Sequence, residues 1–230
     1  MKKPFFSVII PAHNSSEYIR KGLDSIAAQD FKDYEIIAPC DRCSDDTESI
    51  LKEYGAITKP VDYGLDGLTR DCGIVMANGE WILFMDDDDW FLHEFVFRQI
   101  ADAAKSTTAD AILFGYIWKE RGYVQQDPEH ISVHCWSKCF RHEFIRDVRF
   151  GIRRYWSDAD FHNRMMIKPH RFEYLPQPMY YYNFMRKGST TQRYVDKELR
   201  MRADGPVVVY HSEKEASEHA ARIQHHRTNT

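Results

Sequence analysis

Apolar positions in the first third of the chain fall into short runs separated by amphipathic stretches. Phe5–Ile10 (F-F-S-V-I-I) is aromatic and β-branched and stops at Pro11, the pattern of a buried strand. Asn14 and Glu17 make a capping-box pair ahead of Ile19, Leu23, Ile26 and Ala27, whose spacing predicts a helix over Ser15–Gln29. Tyr34–Ala38 predicts a second strand. Ser44, Asp45 and Asp46 open a helix that turns Ile50, Leu51 and Tyr54 inward and ends at Gly55. A short strand at Ala56–Lys59 stops at Pro60, and Leu65–Ala77 predicts a helix closed by Asn78-Gly79. The next apolar run, Trp81–Met85, is too short for a helix and reads as a buried strand. It leads straight into four carboxylates, Asp86, Asp87, Asp88 and Asp89, followed by Trp90.

Strand and helix thus alternate up to Asp89, which predicts an α/β fold: a doubly wound, Rossmann-like sheet flanked by helices. Beyond Asp89 the alternation is lost. His93–Lys105 predicts a helix, Ala111–Trp118 a strongly apolar strand, and Tyr123–Val133 a loop or hairpin. Ser157–Ile167 predicts a helix with Phe161 and Met165 on one face. Met179–Met185 predicts a strand, Gly188–Thr191 a loop, and Ser212–His226 a polar helical tail. The expected organisation is a single domain over residues 1–230. Residues 1–105 form a nucleotide-binding half, 106–192 a second half for the other substrate, and 193–230 a C-terminal, helical extension.

Composition narrows the class. At 230 residues with 43% hydrophobic and 14% aromatic content, the chain has ample material for a core. A net charge of −4 gives no global basic field for nucleic acid. No apolar run approaches the ~18–20 residues a bilayer span needs. Met1-Lys2-Lys3-Pro4 opens like a signal peptide, but a short strand follows with no small-residue cleavage site, so the expected location is the cytoplasm. The five cysteines are odd in number and suit reduced thiols. Cys40-x-x-Cys43 and Cys135-x3-Cys139 have spacings that four zinc ligands would tolerate, but both lie in stretches that read as strand end or core.

The acidic run is the main chemical signal. Four adjacent carboxylates repel one another, and a hard divalent cation turns that repulsion into binding, usually with one or two carboxylates plus substrate phosphates. They fall at the carboxyl end of a predicted strand, where open α/β sheets bind ligands. The plainer reading is an acidic helix start, with Asp89 capping a helix near Leu92. A calcium loop is excluded, because counting from Asp86 the sixth and twelfth places hold Phe91 and Phe97 in place of Gly and Glu.

Several motifs in order resemble the family 2 glycosyltransferases of GT-A fold, over about Phe5 to Gln192. F-S-V-I-I-P-A-H-N at Phe6–Asn14 is similar to that family's opening strand and turn. Y-E-I-I-A-P-C-D-R-C-S-D-D-T at Tyr34–Thr47 resembles E-I-I-V-V-D-D-G-S-T-D-N-T, and G-L-T-R-D-C-G-I-V-M-A-N-G-E-W at Gly67–Trp81 resembles the A-R-N segment. F-M-D-D-D-D at Phe84–Asp89 is similar to F-L-D-S-D-D with its metal-binding D-x-D. W-S-K-C-F-R at Trp136–Arg141, S-D-A-D-F-H-N-R at Ser157–Arg164 and M-Y-Y-Y-N-F-M-R-K-G-S at Met179–Ser189 complete the set.

The resemblance implies an inverting transferase that moves a sugar from a nucleoside-diphosphate sugar, expected to be UDP-linked, to a hydroxyl of a glycan, lipid-linked or other acceptor. Peripheral contact with the inner face of a membrane fits such an acceptor. The resemblance also implies Mn²⁺ or Mg²⁺ held by Asp88 and Asp86, with Asp89 assisting. Donor contacts are expected from Pro11, His13, Asn14, Asp41, Arg70, Asp86, Asp87, Asp88 and Arg186. The expected general base is Asp158, with Asp160 as runner-up and partial burial raising the Asp158 pKa to a useful value. The aromatic and basic stretch Trp136–Trp156 offers ring faces and cations suited to an acceptor; the equal alternative is that Trp136, Phe140 and Phe150 are simply core. Cys40, Arg42 and Cys43 depart from D-D-G-S, Asp71 from the Asn of A-R-N, and Ser157 from the Glu before the base. Two alternatives remain: a sugar nucleotidyltransferase, which would want a glycine-rich loop where Pro11–Asn14 stands, and a non-catalytic nucleotide-sugar-binding relative.

Overall fold

The computed structural model describes residues 3–153 and 155–184, together with Ser189 and Gln192. The chain divides into two compact units, Met1–Arg186 and Lys187–Thr230. Arg186, the end of the predicted strand at Met185, most of the 188–191 loop and the predicted helical tail lie outside the described residues.

The first unit is built on one mixed sheet. Strands β1 (Phe6–Ile9), β2 (Tyr34–Asp41), β3 (Ile57–Val61) and β4 (Trp81–Phe84) pair in parallel in the order β3-β2-β1-β4. Helices α1 (Ile19–Ala27), α2 (Thr47–Glu53) and α3 (Asp66–Met76) connect them, as the alternation predicts. The sheet then continues through strands of the later sequence. After the two-residue β5 (Trp90–Phe91) and α4 (Val96–Ser106) come β6 (Ala111–Trp118), β7 (Gly122–Val124), β8 (Lys138–Arg141) and β9 (Phe172–Tyr182). β8 inserts antiparallel between β4 and β6, and the order runs on through β9 to β5. The short helix α5 (His142–Ile145) follows β8, and α6 (Ser157–Met166) precedes β9.

Burial follows the apolar runs. Every residue of β1 and β4 is buried, as are Ala111–Tyr116 of β6. Trp136, Phe140 and Phe150 are also core, at 1%, 0% and 0% exposure. Trp136 stacks on Tyr180 and Phe150 on Phe161. Their place on an acceptor surface is therefore corrected, and the alternative holds: the three rings are core. The exposed aromatic of that stretch is Trp156, 62% exposed with a left-handed φ of 67°.

Two local expectations change as well. The first helix begins at Ile19 and carries no side-chain cap. Asn14 has φ 46° and its Oδ1 accepts from the Ser44 N–H at 2.8 Å, while the Ser15 and Ser16 N–H groups donate to Thr47 and Asp45. Asn14, Ser15 and Ser16 thus tie the turn after β1 to the turn after β2. Gly22 of α1 faces the acidic turn so closely that a Cβ would lie 2.7 Å from the Asp89 carbonyl oxygen. Glycine is what lets the helix approach that turn.

Candidate active site

Asp86–Asp89 leave the carboxyl end of β4, and the four carboxylates go different ways. Asp86 Oδ1 accepts from Arg70 Nη2 at 2.6 Å. Asp87 Oδ2 accepts from the His13 N–H at 3.0 Å, and the His13 ring meets the Asp41 carbonyl at 2.6 Å. Asp89 is 1% exposed and turned inward: Tyr180 Oη donates to Oδ2 and the Asn183 N–H to Oδ1, both at 2.8 Å. The same Tyr180 hydroxyl accepts from the Asp86 N–H at 3.0 Å. Asp89 therefore caps no helix, since α4 starts at Val96 with Phe95 before it. Among the described residues, no three acidic, histidine or cysteine side chains converge to hold a metal ion. A preformed Asp86–Asp88–Asp89 cage is thus not found, because Asp89 is committed to Tyr180 and Asn183 and Asp86 to Arg70.

Tyr180 carries two bonds at the base of this turn. Tyr180→Phe is expected to leave the buried Asp89 oxygen and the Asp86 N–H unpaired, destabilising the protein by about 1–3 kcal/mol, as thermal unfolding will show.

Arg70 is the hub. It sits on the inward face of α3 and is 5% exposed. Nη1 lies 2.9 Å from Asp66 Oδ2 and 4.0 Å from Asp158 Oδ1, and Nη2 holds Asp86. Its neighbours on α3 are polar and buried too. Thr69 donates to Asp41 Oδ2 at 3.3 Å, and Asp71 accepts the Phe150 N–H at 3.0 Å. Asp41, 6% exposed, also accepts the Tyr63 N–H on Oδ1 at 2.9 Å. Ser157, which stands where a glutamate was expected, donates to Asp66 Oδ2 at 3.3 Å. A carboxylate from α3 thus occupies the neighbourhood that the sequence had seemed to lose.

Asp158 lies in the first turn of α6, where the helix dipole favours it. Oδ2 accepts from the Cys135 N–H at 3.3 Å and lies 3.8 Å from His134 Nδ1, while Oδ1 is buried with no hydrogen-bond partner. Burial pushes its pKa up, but the Arg70 guanidinium, His134 and the Cys135 N–H outweigh burial and hold it at about 2. This reverses the expected upward shift. Asp86 behaves oppositely: burial, together with Asp158 and Asp88, raises it to about 6 against the pull of Arg70. Asp89 is raised by burial and by its neighbours Asp88 and Asp86. Asp160 is held by Arg153 at 3.0 Å instead. Sequence reading missed Tyr180, Asn183 and His134, whose partners lie far away in the chain; the Asp66–Arg70 pair, at i,i+4 on one helix, was open to it.

The mixed sheet, with its acidic turn at the end of β4, is the GT-A fold of nucleotide-sugar glycosyltransferases. The family model described as glycosyl transferase family 2 matches residues 7–206, and the chain belongs to that family. Glycosyltransferase GlyA of Streptococcus pneumoniae is 24% identical over 231 residues, 86% of this chain but 33% of GlyA. Staphylococcus aureus TarS 1-349 in complex with UDP-GlcNAc superposes with a TM-score of 0.74 at 23% identity, covering 82% of this chain and 60% of that one. The mannosyltransferase PcManGT of Pyrobaculum calidifontis, in complex with GDP-Man and Mn²⁺, gives a TM-score of 0.64 at 15% identity, covering 90% of this chain and 67% of the other. The chain therefore spans a third of GlyA and about three fifths of the TarS fragment.

Proposed function

We propose that this chain transfers a sugar, with inversion and with Mn²⁺ or Mg²⁺, from a UDP-sugar to a hydroxyl of a glycan, lipid-linked or other acceptor. The observation that carries this reading is Arg70, whose one guanidinium is shared by Asp86 of the donor turn and Asp158 of α6, at 2.6 and 4.0 Å. Three carboxylates (Asp66, Asp86 and Asp158) gather about one buried cation, and burial together with Asp158 and Asp88 pushes Asp86 up to about 6. That excess negative charge suits a second cation. When bound, a divalent ion neutralises charge developing on the leaving diphosphate.

Asp88 and Asp86 would hold the ion together with donor phosphates, and Asp89 anchors the turn from behind. Asp41 keeps a second lone pair on each oxygen for the imide N–H of uracil or a ribose hydroxyl. Pro11, His13, Asn14 and Asp87 shape the turn beside the base, and Arg70 stands ready for a phosphate. Arg186 belongs to the same reading, outside the described residues. Asp158 takes the acceptor proton: the hydroxyl oxygen bonds the anomeric carbon, whose bond to the diphosphate breaks with the electron pair leaving on phosphate. A carboxylate held at about 2 is ionised at neutral pH, and transfer of Arg70 toward the donor phosphates would make it more basic. A UDP-GlcNAc complex of TarS supports a uridine donor, and the Mn²⁺ of PcManGT supports a cation. Among the described residues no helix is long and apolar enough to cross a membrane.

Titration calorimetry with UDP, and with GDP as the competing base, tests this reading. UDP binding is expected to weaken strongly without Mn²⁺ or Mg²⁺ and to lose that dependence in Asp88→Ala. Metal-independent UDP binding that is unchanged in Asp88→Ala would overturn it.

A further inference from the structure

Two thiols flank the donor carboxylate Asp41 and take no part in the chemistry above. Cys40 is the penultimate residue of β2 and bridges Ala12 across the sheet. Arg42 then adopts φ 54°, a left-handed turn that folds the chain back. The Cys43 thiol returns to the same Ala12, donating to its carbonyl at 3.5 Å, while the Cys40 thiol meets the Ala38 carbonyl at 3.4 Å. Both cysteines are therefore anchored on one residue: the Ala12 carbonyl that takes the Cys43 thiol also accepts the Asp41 N–H, next to Cys40, at 2.8 Å. Both are free, and no third ligand makes them part of a metal group among the described residues. The zinc reading of this motif has no support, and two free thiols on one tight turn remain.

We propose that Cys40 and Cys43 form a reversible disulfide whose closure lowers affinity for the nucleotide donor. The second clause rests on the donor reading of Asp41; the first does not.

The two sulfurs differ in the way such chemistry requires. Cys43 is half-buried and Cys40 is 2% exposed. Cys43, the more accessible of the two, is thus the attacking thiol. With a small disulfide such as oxidised glutathione, Cys43 displaces one glutathione thiolate to give a mixed disulfide. Cys40, losing its proton to that thiolate, then displaces the second. In sum, two protein thiols and one glutathione disulfide give one protein disulfide and two glutathione thiols.

The ring so closed contains Asp41 and Arg42. Asp41 is bonded to Tyr63 and Thr69, and Arg42 pairs with Asp62. A disulfide sets its own Cβ separation and dihedral, so the turn between the sulfurs must follow and carry Asp41 with it.

The test equilibrates the full chain in glutathione redox buffers and reads intact mass, cysteine-linked peptides and UDP affinity with Mn²⁺. Oxidation is expected to remove two hydrogen atoms, link the Cys40 and Cys43 peptides, and weaken UDP binding roughly tenfold; dithiothreitol restores both. Cys40→Ser is expected to stop at a glutathione adduct on Cys43. A stable adduct in the unmutated chain, or linkage to another cysteine, overturns the disulfide. Ring closure with unchanged UDP affinity overturns the switch. A reduced protein that fails to bind UDP sinks the donor reading instead, while the mass still decides whether the ring closes.

Discussion

Asp158→Asn is expected to lower sugar transfer by roughly 10²–10⁴-fold while UDP and metal binding persist. The substitution keeps the shape of the side chain, so the Cys135 N–H still finds an acceptor, but the carboxylate proposed to take the acceptor proton is gone. Because the loss falls on a transition-state interaction, kcat is expected to drop with little change in the donor KM. Steady-state kinetics across a panel of UDP-sugars, with hydrolysis as the fallback reaction, reads this directly. Near-normal transfer in the variant, or a product that keeps the donor's anomeric configuration, would remove Asp158 from the role. Asp160, held by Arg153, would then be tested next.

Arg70→Met is expected to produce the largest loss of stability. It leaves Asp66, Asp86 and Asp158 facing one another around an apolar side chain. Breaking buried pairs in this way costs about 3–5 kcal/mol, or a fall in Tm on the order of 10 °C for a domain of this size. Arg70→Lys is expected to recover only part, since an ammonium lacks the planar fork that reaches two carboxylates at once. The pH response carries a sign. In the parent protein the Asp158 pKa is depressed to about 2, so its contribution is present above the ordinary value near 3.9 and disappears as pH falls toward about 2. Without Arg70 that depression is lost. The gap in Tm between parent and variant is therefore expected to narrow on acidification, and to narrow at neutral pH on adding Mn²⁺. A constant gap across pH would mean that the loss comes from packing, not charge.

Local patterns carried the first half of the fold. The strands around Val8 and Leu83 and the helix around Arg70 are set by runs and spacings within a dozen residues, and the structure places them where those patterns point. β8 was not legible. Its four residues, K-C-F-R, include Lys138, a charge that is nonetheless 1% exposed because Ser132 and His134 carbonyls accept from its ammonium. The Asn14–Glu17 pair misled for a related reason: a capping pattern is also a set of free hydrogen-bonding groups, and Ser44 claimed Asn14 first. The acidic site was half visible. The run Asp86–Asp89 announces itself, but the fate of Asp89 was decided by Tyr180, 91 residues away. Likewise the aromatic neighbours of Asp158 pointed to a raised pKa, whereas Arg70, folded against it from α3, sets the opposite direction.

The insertion of β8 between β4 and β6 has a consequence for how the chain is made. When the ribosome has delivered Trp81–Phe84, the strand can pair with β1 on one side only; its other neighbour begins at Lys138. At about 5–20 residues per second, several seconds pass before that neighbour is synthesised, and more before it clears the exit tunnel. Throughout that interval the nascent chain presents Trp81, Ile82, Leu83 and Phe84, all fully buried at completion, along an unpaired edge. Translation that stalls between these two strands would release a sticky template, so the order of synthesis gives this sequence a stretch that calls for chaperone cover.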